Sequence, residues 1–548
     1  MSNRLLWTLV SCFALVKFVL IGWWPFLSLT HLRHDTLIFI NQAIYLLEGN
    51  WLGPYSEYTL MKGPATPIWI ALMNFLGIPL LMSHHFIYLG ACILVMLAFR
   101  RFTESNGFLL LVYVLVLFSP FTFNYGAIAS AFRGMLHQPL VLGLLALSII
   151  LFADLRKSVK TNAGLLTLFG AMLWLFWNNR EEGVWIVPWF CWLIAIMMVH
   201  VYREWKFDHP GQALKLIWIV LVPFAIWGLG TLALAWKNYS EYEVFAVVEL
   251  KTPQFKRAFG GLIGIKAETW NPRYAAQSDV LDKLYSLPGG SKLNLDDMEN
   301  ETREPIHSLK LPWTFRTAVA DAGYYEKGGT AVLDFYNRIG REIESACERS
   351  EFECNKPVFG MLPPWHPGYT ERFPRTLWRV LERALDIEDF RTIHDFHSTG
   401  TPRDRLFVSR LVNSPVRATA EDGDLSLPKF YIRLKKNKTR YGVKIVEFYR
   451  EVTPTLFWLS VAGLFLALYS TIRNRKISPL DVVFFGLAGT ILVQMVMFAL
   501  LRVTGYSSSI RLYFSFYPVL YTFIACGALS ITRNIRQVLN NPVPPRSF

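Results

Sequence analysis

Apolar residues form repeated long runs, and a run of about 20 residues is enough to cross the hydrocarbon core of a bilayer as one helix. The first run, 5–29, is too long for the apolar part of a signal peptide, and no small-residue cleavage site follows it. We therefore predict an uncleaved first span. The pattern predicts about ten crossings in total, the others at 86–100, 107–123, 138–153, 163–178, 184–200, 215–236, 453–472, 481–501 and 512–532.

One more apolar stretch, 64–82, is interrupted by proline and glycine and has Asn74 near its centre. The distribution of basic residues predicts whether this stretch crosses the membrane, because short cytoplasmic loops are rich in Lys and Arg. If 64–82 does not cross, all the basic loops fall on the same side as Arg4. We therefore predict a helix on the outer surface, cytoplasmic N- and C-termini, and an extracytoplasmic location for the large polar segment 237–452.

The predicted fold class is an α-helical polytopic membrane protein with an inserted extracytoplasmic domain. Its parts are an N-terminal transmembrane module (1–236), the inserted domain (237–452) and a C-terminal transmembrane module with a cytoplasmic tail (453–548). Helical stretches and turn-rich stretches alternate in the inserted domain, which indicates an α/β or α+β fold. Cys347 and Cys354 are its cysteines, and outside the cytoplasm they predict a disulfide, with two free thiols as the alternative.

The composition agrees with a membrane protein, because 53% of the residues are hydrophobic and 18% are charged, against about a quarter charged in soluble domains. The formal net charge of +14 comes mostly from the predicted cytoplasmic loops, since the inserted domain is nearly neutral. We infer membrane lipids, and no nucleic acid, as partners.

Several cations lie on the outer face, where the positive-inside rule leaves few of them. One interpretation is an anionic ligand such as a lipid phosphate, which Arg binds as a two-donor fork and Lys as a point charge. The alternative is that these side chains reach the headgroup layer or pair with loop acids. The residues are Arg33, Lys62, Arg133, Arg180, Arg502 and Arg511.

The first outer loop carries the most informative pattern. Apolar residues at helical spacing predict a surface helix over 35–48, which Gly49 ends, and Lys62-Gly63-Pro64 then opens the second surface helix. Asp35 stands at the start of the first of these helices. It is either a helix cap or a carboxylate at the bilayer edge that acts as a general base or a metal ligand.

These motifs resemble a known family. An acid just after the first span, a short helix ending in Leu-Leu-x-Gly and a Lys-Gly-Pro motif are similar to membrane glycosyltransferases of the GT-C fold. The resemblance is to the branch of protein O-mannosyltransferases and aminoarabinose–lipid A transferases. It is good over 1–236, thinner over 453–548 and absent over 237–452.

The resemblance implies transfer of a sugar from a polyprenyl-phosphate carrier to an envelope glycan, lipid or protein at the outer face. It also implies two juxtamembrane helices, 35–48 and 64–82, and a bacterial inner membrane with an undecaprenyl carrier. By the resemblance, Asp35 corresponds to the catalytic acid and Lys62 to a lysine near the lipid phosphate.

The sequence also departs from the family. Many relatives have a second acid in the second outer loop, where this chain has only Arg133 and His137. The nearest substitutes are Glu181 and Glu182, next to Arg180. These carboxylates would bind Mg²⁺ or Mn²⁺ or orient a sugar hydroxyl, or else form a hydrated turn that caps the next helix. The need for a metal, and the identity of the base, are therefore open.

The mechanism that the resemblance implies is a single displacement at the anomeric carbon. The base, Asp35 in our interpretation, takes a proton from an acceptor hydroxyl, and the lipid phosphate leaves. The proposed phosphate ligands are Lys62, Arg133, Arg180 and Arg511, and the proposed substrate-lining residues are Arg33, His34, His137 and Tyr513.

Two other functions stay open. A polyprenyl-linked glycan polymerase or ligase would use the outer arginines and would not need Asp35. A lipid-carrier transporter or flippase is less favoured, because the polar groups gather at one face and no internal repeat is visible.

Overall fold

The computed structural model describes residues 1–32, 36–154, 159–206, 210–295, 306–355, 361–388, 390–419, 429–506 and 510–540. Over this part the chain is mainly helical. The helices of the N-terminal part are α1 (Asn3–Ile21), α2 (Thr36–Leu47), α3 (Ala65–Phe75), α4 (Leu80–Phe99), α5 (Asn106–Leu117), α6 (Tyr125–Ile128), α7 (Arg133–Ala153), α8 (Val159–Trp177), α9 (Val187–Lys206) and α10 (Pro210–Tyr242).

The remaining helices belong to the inserted segment and to the C-terminal part. They are α11 (Pro253–Gly264), α12 (Ser278–Tyr285), α13 (Leu311–Asp321), α14 (Gly329–Glu348), α15 (Pro367–Asp386), α16 (Pro402–Leu411), α17 (Lys429–Asn474), α18 (Pro479–Val503) and α19 (Phe516–Asn540). Two short strands, β1 (Tyr274–Ala276) and β2 (Ile306–His307), pair antiparallel.

The chain is an integral membrane protein. Within the described residues, eight helical segments are long and apolar enough to cross a membrane: Asn3–Ile21, Leu80–Phe99, Arg133–Ala153, Gly183–His200, Ile217–Tyr242, Lys436–Asn474, Pro479–Val503 and Tyr513–Ile535. Two further predicted spans correspond to shorter apolar helices, Asn106–Leu117 and Asn162–Trp177. The full number of crossings therefore stays a prediction.

The first predicted span was too long. α1 ends at Ile21, and the apolar residues after it leave the helix. Phe26 forms an isolated bridge with Val416, and Leu27 forms one with Ser130. An apolar run fits a buried extended segment as well as a helix, and this explains the error.

The surface helix predicted over 64–82 is also shorter than expected. α3 ends at Phe75, Gly77 takes a positive φ of 67°, and Pro79 precedes α4. Positive φ is accessible to glycine, and the ring of proline fits the position before a helix, so this short sequence separates two helices. α4 therefore begins at Leu80 and not at 86. The first predicted surface helix, 35–48, corresponds to α2.

The inserted segment is mainly helical. Its core forms where α11 packs against α14, and it includes Phe255, Phe259 and Phe335. Within the described residues, sheet is limited to β1 and β2, so the α/β or α+β expectation overestimated the strand content. The predicted boundary at 452 lies inside α17, which runs unbroken from Lys429 to Asn474.

Cys347 and Cys354 are joined by a disulfide bond. α14 ends beside Cys347, and Ser350 reverses the chain with a positive φ of 59°. An isolated bridge between Ile265 and Cys354 then holds the second cysteine against the end of α11. The disulfide therefore fixes the end of α14 to the core of the inserted segment.

A fully buried ion pair lies in the inserted segment, where this segment contacts the first outer loop. Arg316 Nη2 is 3.0 Å from Glu249 Oε2, and both side chains are 0% exposed. The hydroxyls of Tyr55, Tyr325 and Tyr336 donate to the same carboxylate at 2.8, 2.9 and 2.8 Å. Burial, together with the nearby carboxylate, raises the pKa of Tyr55, so its phenol stays a protonated donor.

The same pair holds the backbone of the first outer loop. Arg316 Nη2 donates to Thr59 O at 2.7 Å, and Glu249 N donates to Leu60 O at 2.8 Å. Leu60 has a positive φ of 55°, which is uncommon for a residue with a side chain and needs support from its surroundings. The inserted segment therefore fixes the chain just before Lys62.

The buried pair leads to a stability prediction. We expect Arg316→Met to lower the free energy of unfolding by about 3–5 kcal/mol, because it leaves a buried carboxylate without its cation. The matched control is Arg257→Gln, whose ion pair with Glu344 is half-exposed. The control should change stability by less than about 1 kcal/mol. Urea unfolding of both variants, followed by tryptophan fluorescence in detergent, makes the comparison, and equal losses would contradict it.

Candidate functional site

Three segments far apart in the sequence meet at one end of the helix bundle. They are 62–64 before α3, the first turn of α7, and 178–180 after α8. The connection runs through Asn179, which is 0% exposed. Its Nδ2 donates to Arg133 O at 3.0 Å, and Arg133 Nη1 donates to Asn179 O at 3.5 Å. Arg133 is therefore hydrogen-bonded to Asn179, the residue that precedes Arg180 in the chain.

The chain directly after the Lys-Gly-Pro segment is hydrogen-bonded to Asn178 and Asn179. Ala65 N donates to Asn178 O at 3.1 Å, and Thr66 Oγ1 donates to Asn179 Oδ1 at 2.6 Å. Gly63 is required at its position, because a Cβ there would lie 2.0 Å from Asn178 O. The close backbone approach explains the glycine of the motif.

Lys62 lies between two aromatic rings. Its Nζ is 5.5 Å from the ring centre of Phe39 and 5.2 Å from that of Trp313, both within the range of cation–π attraction. Phe39 lies on α2 and Trp313 on α13 of the inserted segment. The lysine is 7% exposed. It is therefore held at the contact between the first outer loop and the inserted segment.

The last outer loop packs onto the start of α7. Its residues Ile510–Ser515 form a short 3-10 helix, and a Cβ on Gly134 would lie 2.8 Å from the ring of Phe514. This brings the backbone of the Arg511 segment next to Arg133. Tyr513, predicted to line the substrate, is 4% exposed, and its hydroxyl donates to Val380 O at 3.4 Å.

Pro139 shapes the first turns of α7. Proline has no N–H, so the carbonyl of Met135, four residues earlier, lacks its helical donor. His84 Nδ1 lies in hydrogen-bonding contact with that carbonyl. His137, also predicted to line the substrate, is 2% exposed, and its ring stacks on Phe176 at 4.8 Å. In this structure His137 packs against α8.

A cavity of about 220 Å³ opens beside the Lys-Gly-Pro segment. Gly63, Trp177, Asn178 and Thr231 line it, and most of its other walls are the alkyl side chains of α10 and of the chain after it. Lys251 also lines it, with Nζ 5.7 Å from the ring centre of Trp177. The cavity thus combines apolar walls with one cation, Lys251, and lies next to the Lys62 segment, a combination that suits an amphiphile with an anionic head.

Several predicted site residues lie outside the described part of the structure. This holds for Arg33, His34 and Asp35, and for the side chains of Glu181, Glu182 and Arg511. The backbone of the acid pair begins a 3-10 helix, Glu181–Ile186. In the described part, no three His, Cys, Asp or Glu side chains come together in a group that could hold a metal ion. The catalytic base and the metal therefore stay predictions.

The sequence interpretation missed the residues that connect the site. Asn178 and Asn179 end an apolar helix, and two adjacent amides at such a place are a signal that could have been used. Thr66 and Trp313 give no comparable local signal, because their partners lie far away along the chain.

No protein-family model and no curated protein sequence matches the chain. Solved structures do match it. One is the oligosaccharyltransferase AglB from Archaeoglobus fulgidus in complex with an inhibitory peptide and a dolichol-phosphate, at 10% identity and a TM-score of 0.38, over 99% of this chain and 52% of that chain. Another is ArnT from Cupriavidus metallidurans bound to undecaprenyl phosphate, at 13% identity and a TM-score of 0.32, over 100% of this chain and 82% of that chain.

The chain spans only 52% of the length of that oligosaccharyltransferase. AglB and ArnT are both membrane glycosyltransferases of the GT-C fold, the group that the sequence resembles. At these identities and TM-scores, the likeness assigns neither a substrate nor a residue role to this chain.

The close approach at Gly63 can be tested by adding one methyl group. We expect Gly63→Ala to destabilise the protein by about 1–3 kcal/mol, because the Cβ would force the 62–64 segment away from Asn178. Gly90→Ala is the matched control, since nothing lies within 4 Å of its Cβ. Alanine is a better helix former than glycine, so the control should be neutral or stabilising. Melting temperatures in detergent compare the two, and a neutral Gly63→Ala would contradict the packing.

Proposed function

We propose that the chain is a membrane glycosyltransferase that moves a sugar from a polyprenyl-phosphate carrier to an envelope glycan, lipid or protein at the outer face. The observation that carries the proposal is that the segments of Lys62, Arg133 and Arg180 are hydrogen-bonded together beside an apolar cavity. A polyprenyl phosphate has the matching parts, an anionic head and an apolar chain.

The cations suit a phosphate that gains charge during the reaction. Departure of a glycosyl group leaves negative charge on the carrier phosphate, and fixed cations stabilise such charge best when they need no reorganisation. Asn179 connects the backbone at Arg133 with the Lys-Gly-Pro segment, and the two aromatic rings hold Lys62. Arg511 is proposed as a further ligand, since its segment packs against the start of α7.

Asp35 is the proposed base, on the strength of the sequence resemblance. Phe39, one helical turn further along the chain, contacts Lys62. The base takes the proton of an acceptor hydroxyl, the oxygen bonds to the anomeric carbon, and the bond to the phosphate oxygen breaks. Glu181 and Glu182 are the alternative bases. Binding of Mg²⁺ or Mn²⁺ is another role proposed for these acids. We place this chemistry at the outer face of a bacterial inner membrane, with undecaprenyl as the carrier.

The base assignment can be tested with label transfer from a panel of polyprenyl-phosphate sugars to cell-envelope acceptors. We expect Asp35→Asn to lower the transfer rate at least about 100-fold, since a general base typically contributes this much or more. The control is Asp334→Asn, an exposed acid on α14, which should transfer at the wild-type rate.

Transfer that survives Asp35→Asn would move the base to Glu181 or Glu182, or favour the polymerase or ligase function. Carrier movement across vesicles without any sugar transfer would favour the flippase.

The lysine is tested in the same assay. We expect Lys62→Met to lower the transfer rate about 100-fold or more, because methionine keeps most of the apolar contact and removes the charge next to the leaving phosphate. Lys62→Arg should retain part of the activity. Lys266→Met, which removes an exposed cation paired with exposed Glu353, is the control and should leave the rate unchanged. A wild-type rate for Lys62→Met would exclude a phosphate role for this lysine.

A further inference from the structure

A second cavity, with a polar lining, lies at the opposite end of the bundle from the candidate site. α18 begins at this end with Pro479 and finishes at Val503, shortly before the loop that packs on α7. α19 then returns from Phe516 to Asn540. The cavity lies between the start of α18, the end of α17 and the last turns of α19, and its volume is about 570 Å³.

Polar and cationic side chains line this cavity. Lys476 and Arg533 contribute the positive charges, and Asn474, Ser478 and Asn534 contribute amides and a hydroxyl. They come from two chain segments, 474–478 and 533–534. Such a set of donors suits a phosphate, which accepts hydrogen bonds on several oxygens at once.

Asp481, the acid in the cavity wall, already accepts hydrogen bonds from Ser478. Asp481 Oδ2 accepts from Ser478 N at 3.1 Å and from Ser478 Oγ at 2.6 Å, in a capping box at the start of α18. Arg533 Nη1 donates to Ser478 Oγ at 2.6 Å, which holds the guanidinium at the wall. Lys476 has no hydrogen bond or ion pair with any residue in the described ranges. The cavity thus keeps donors for an anion.

Ile477 belongs to this lining, and two more exposed isoleucines lie nearby along the chain. Ile472, Ile477 and Ile535 are 68%, 46% and 54% exposed, and they lie at the ends of membrane-spanning helices or next to them. Apolar side chains at this position would contact lipid chains. The complementary molecule therefore has an anionic head and apolar tails.

We propose that this cavity binds the phosphate of an anionic phospholipid, in the leaflet opposite to the candidate glycosyl-transfer site. Basic pockets between membrane helices bind such headgroups through Lys and Arg. The phosphate is held by Lys476 and Arg533, and the acyl chains run along exposed Ile477 and the apolar helix ends beside it. This site is separate from the proposed transferase chemistry and stands without it.

Lipid binding to the purified full chain in detergent tests the proposal. Native mass spectrometry counts bound phosphatidylglycerol over a titration, with phosphatidylcholine of the same chains as the neutral lipid. We expect the half-saturating phosphatidylglycerol concentration to rise roughly tenfold or more in Lys476→Gln/Arg533→Gln, given about 1 kcal/mol for each cation near a lipid surface. Lys476→Gln alone keeps the Arg533–Ser478 bond and should give a smaller rise.

The matched control is Lys266→Gln/Arg349→Gln, which removes two exposed cations of the inserted segment. It should bind phosphatidylglycerol like the wild type. Wild-type affinity in the cavity variant, or equal binding of phosphatidylcholine, would overturn the proposal. Inorganic phosphate that displaces the lipid at millimolar concentration would overturn the lipid assignment and leave a free-phosphate site. Melting temperatures without lipid show that each variant is folded.

Discussion

The buried pair of Glu249 and Arg316 is the interaction on which the outer half of the molecule depends. Taking two charges out of water costs several kcal/mol for each ion, and their attraction offsets this only when the remaining donors and acceptors are satisfied. Here the three tyrosine hydroxyls donate to the carboxylate of Glu249, and the carbonyl of Thr59 accepts from the guanidinium of Arg316. The Tyr55 hydroxyl and the Thr59 carbonyl belong to the first outer loop, so the arrangement is complete only when this loop lies against the inserted segment. It therefore determines where Lys62 and Trp313 meet.

The sequence predicts which stretches are apolar helices better than it predicts where they end. Charge distribution predicted that 64–82 does not cross the membrane, and α3 is a short apolar helix in this stretch. Its end at Phe75 depends on Gly77 and Pro79, which are visible in the sequence but also occur inside longer helices. The run 5–29 gave a span that was too long for another reason. Its last residues are as apolar as those of a span, but Phe26 and Leu27 form backbone bridges with residues far away in the sequence. Hydropathy indicates that a segment is buried, but it does not distinguish a membrane-spanning helix from a buried extended segment.

At the candidate site too, the sequence indicated some of the residues but not the contacts between them. Cations on the face that should contain few of them pointed to Lys62, Arg133 and Arg180, and the structure brings their segments together. The residue that joins them, Asn179, has no special pattern around it, because its partners are Thr66 and the carbonyl of Arg133. Long-range hydrogen bonds of this kind follow from the packing of α3, α7 and α8. A single sequence records their donors and acceptors without their pairing.

The two proposed phosphate sites differ in a way that follows from what each must do. Lys62 and Arg180 are 7% and 8% exposed, and the backbone at Gly63 packs so closely on Asn178 O that a Cβ would not fit there. Such fixed charges are suited to a phosphate whose charge changes during a reaction, because reorganisation would cost part of the stabilisation. Lys476 and Arg533 are exposed and lie around an open cavity of about 570 Å³. Exposed cations around an open cavity suit a phosphate that only binds, since such a headgroup exchanges with the bilayer and undergoes no chemistry.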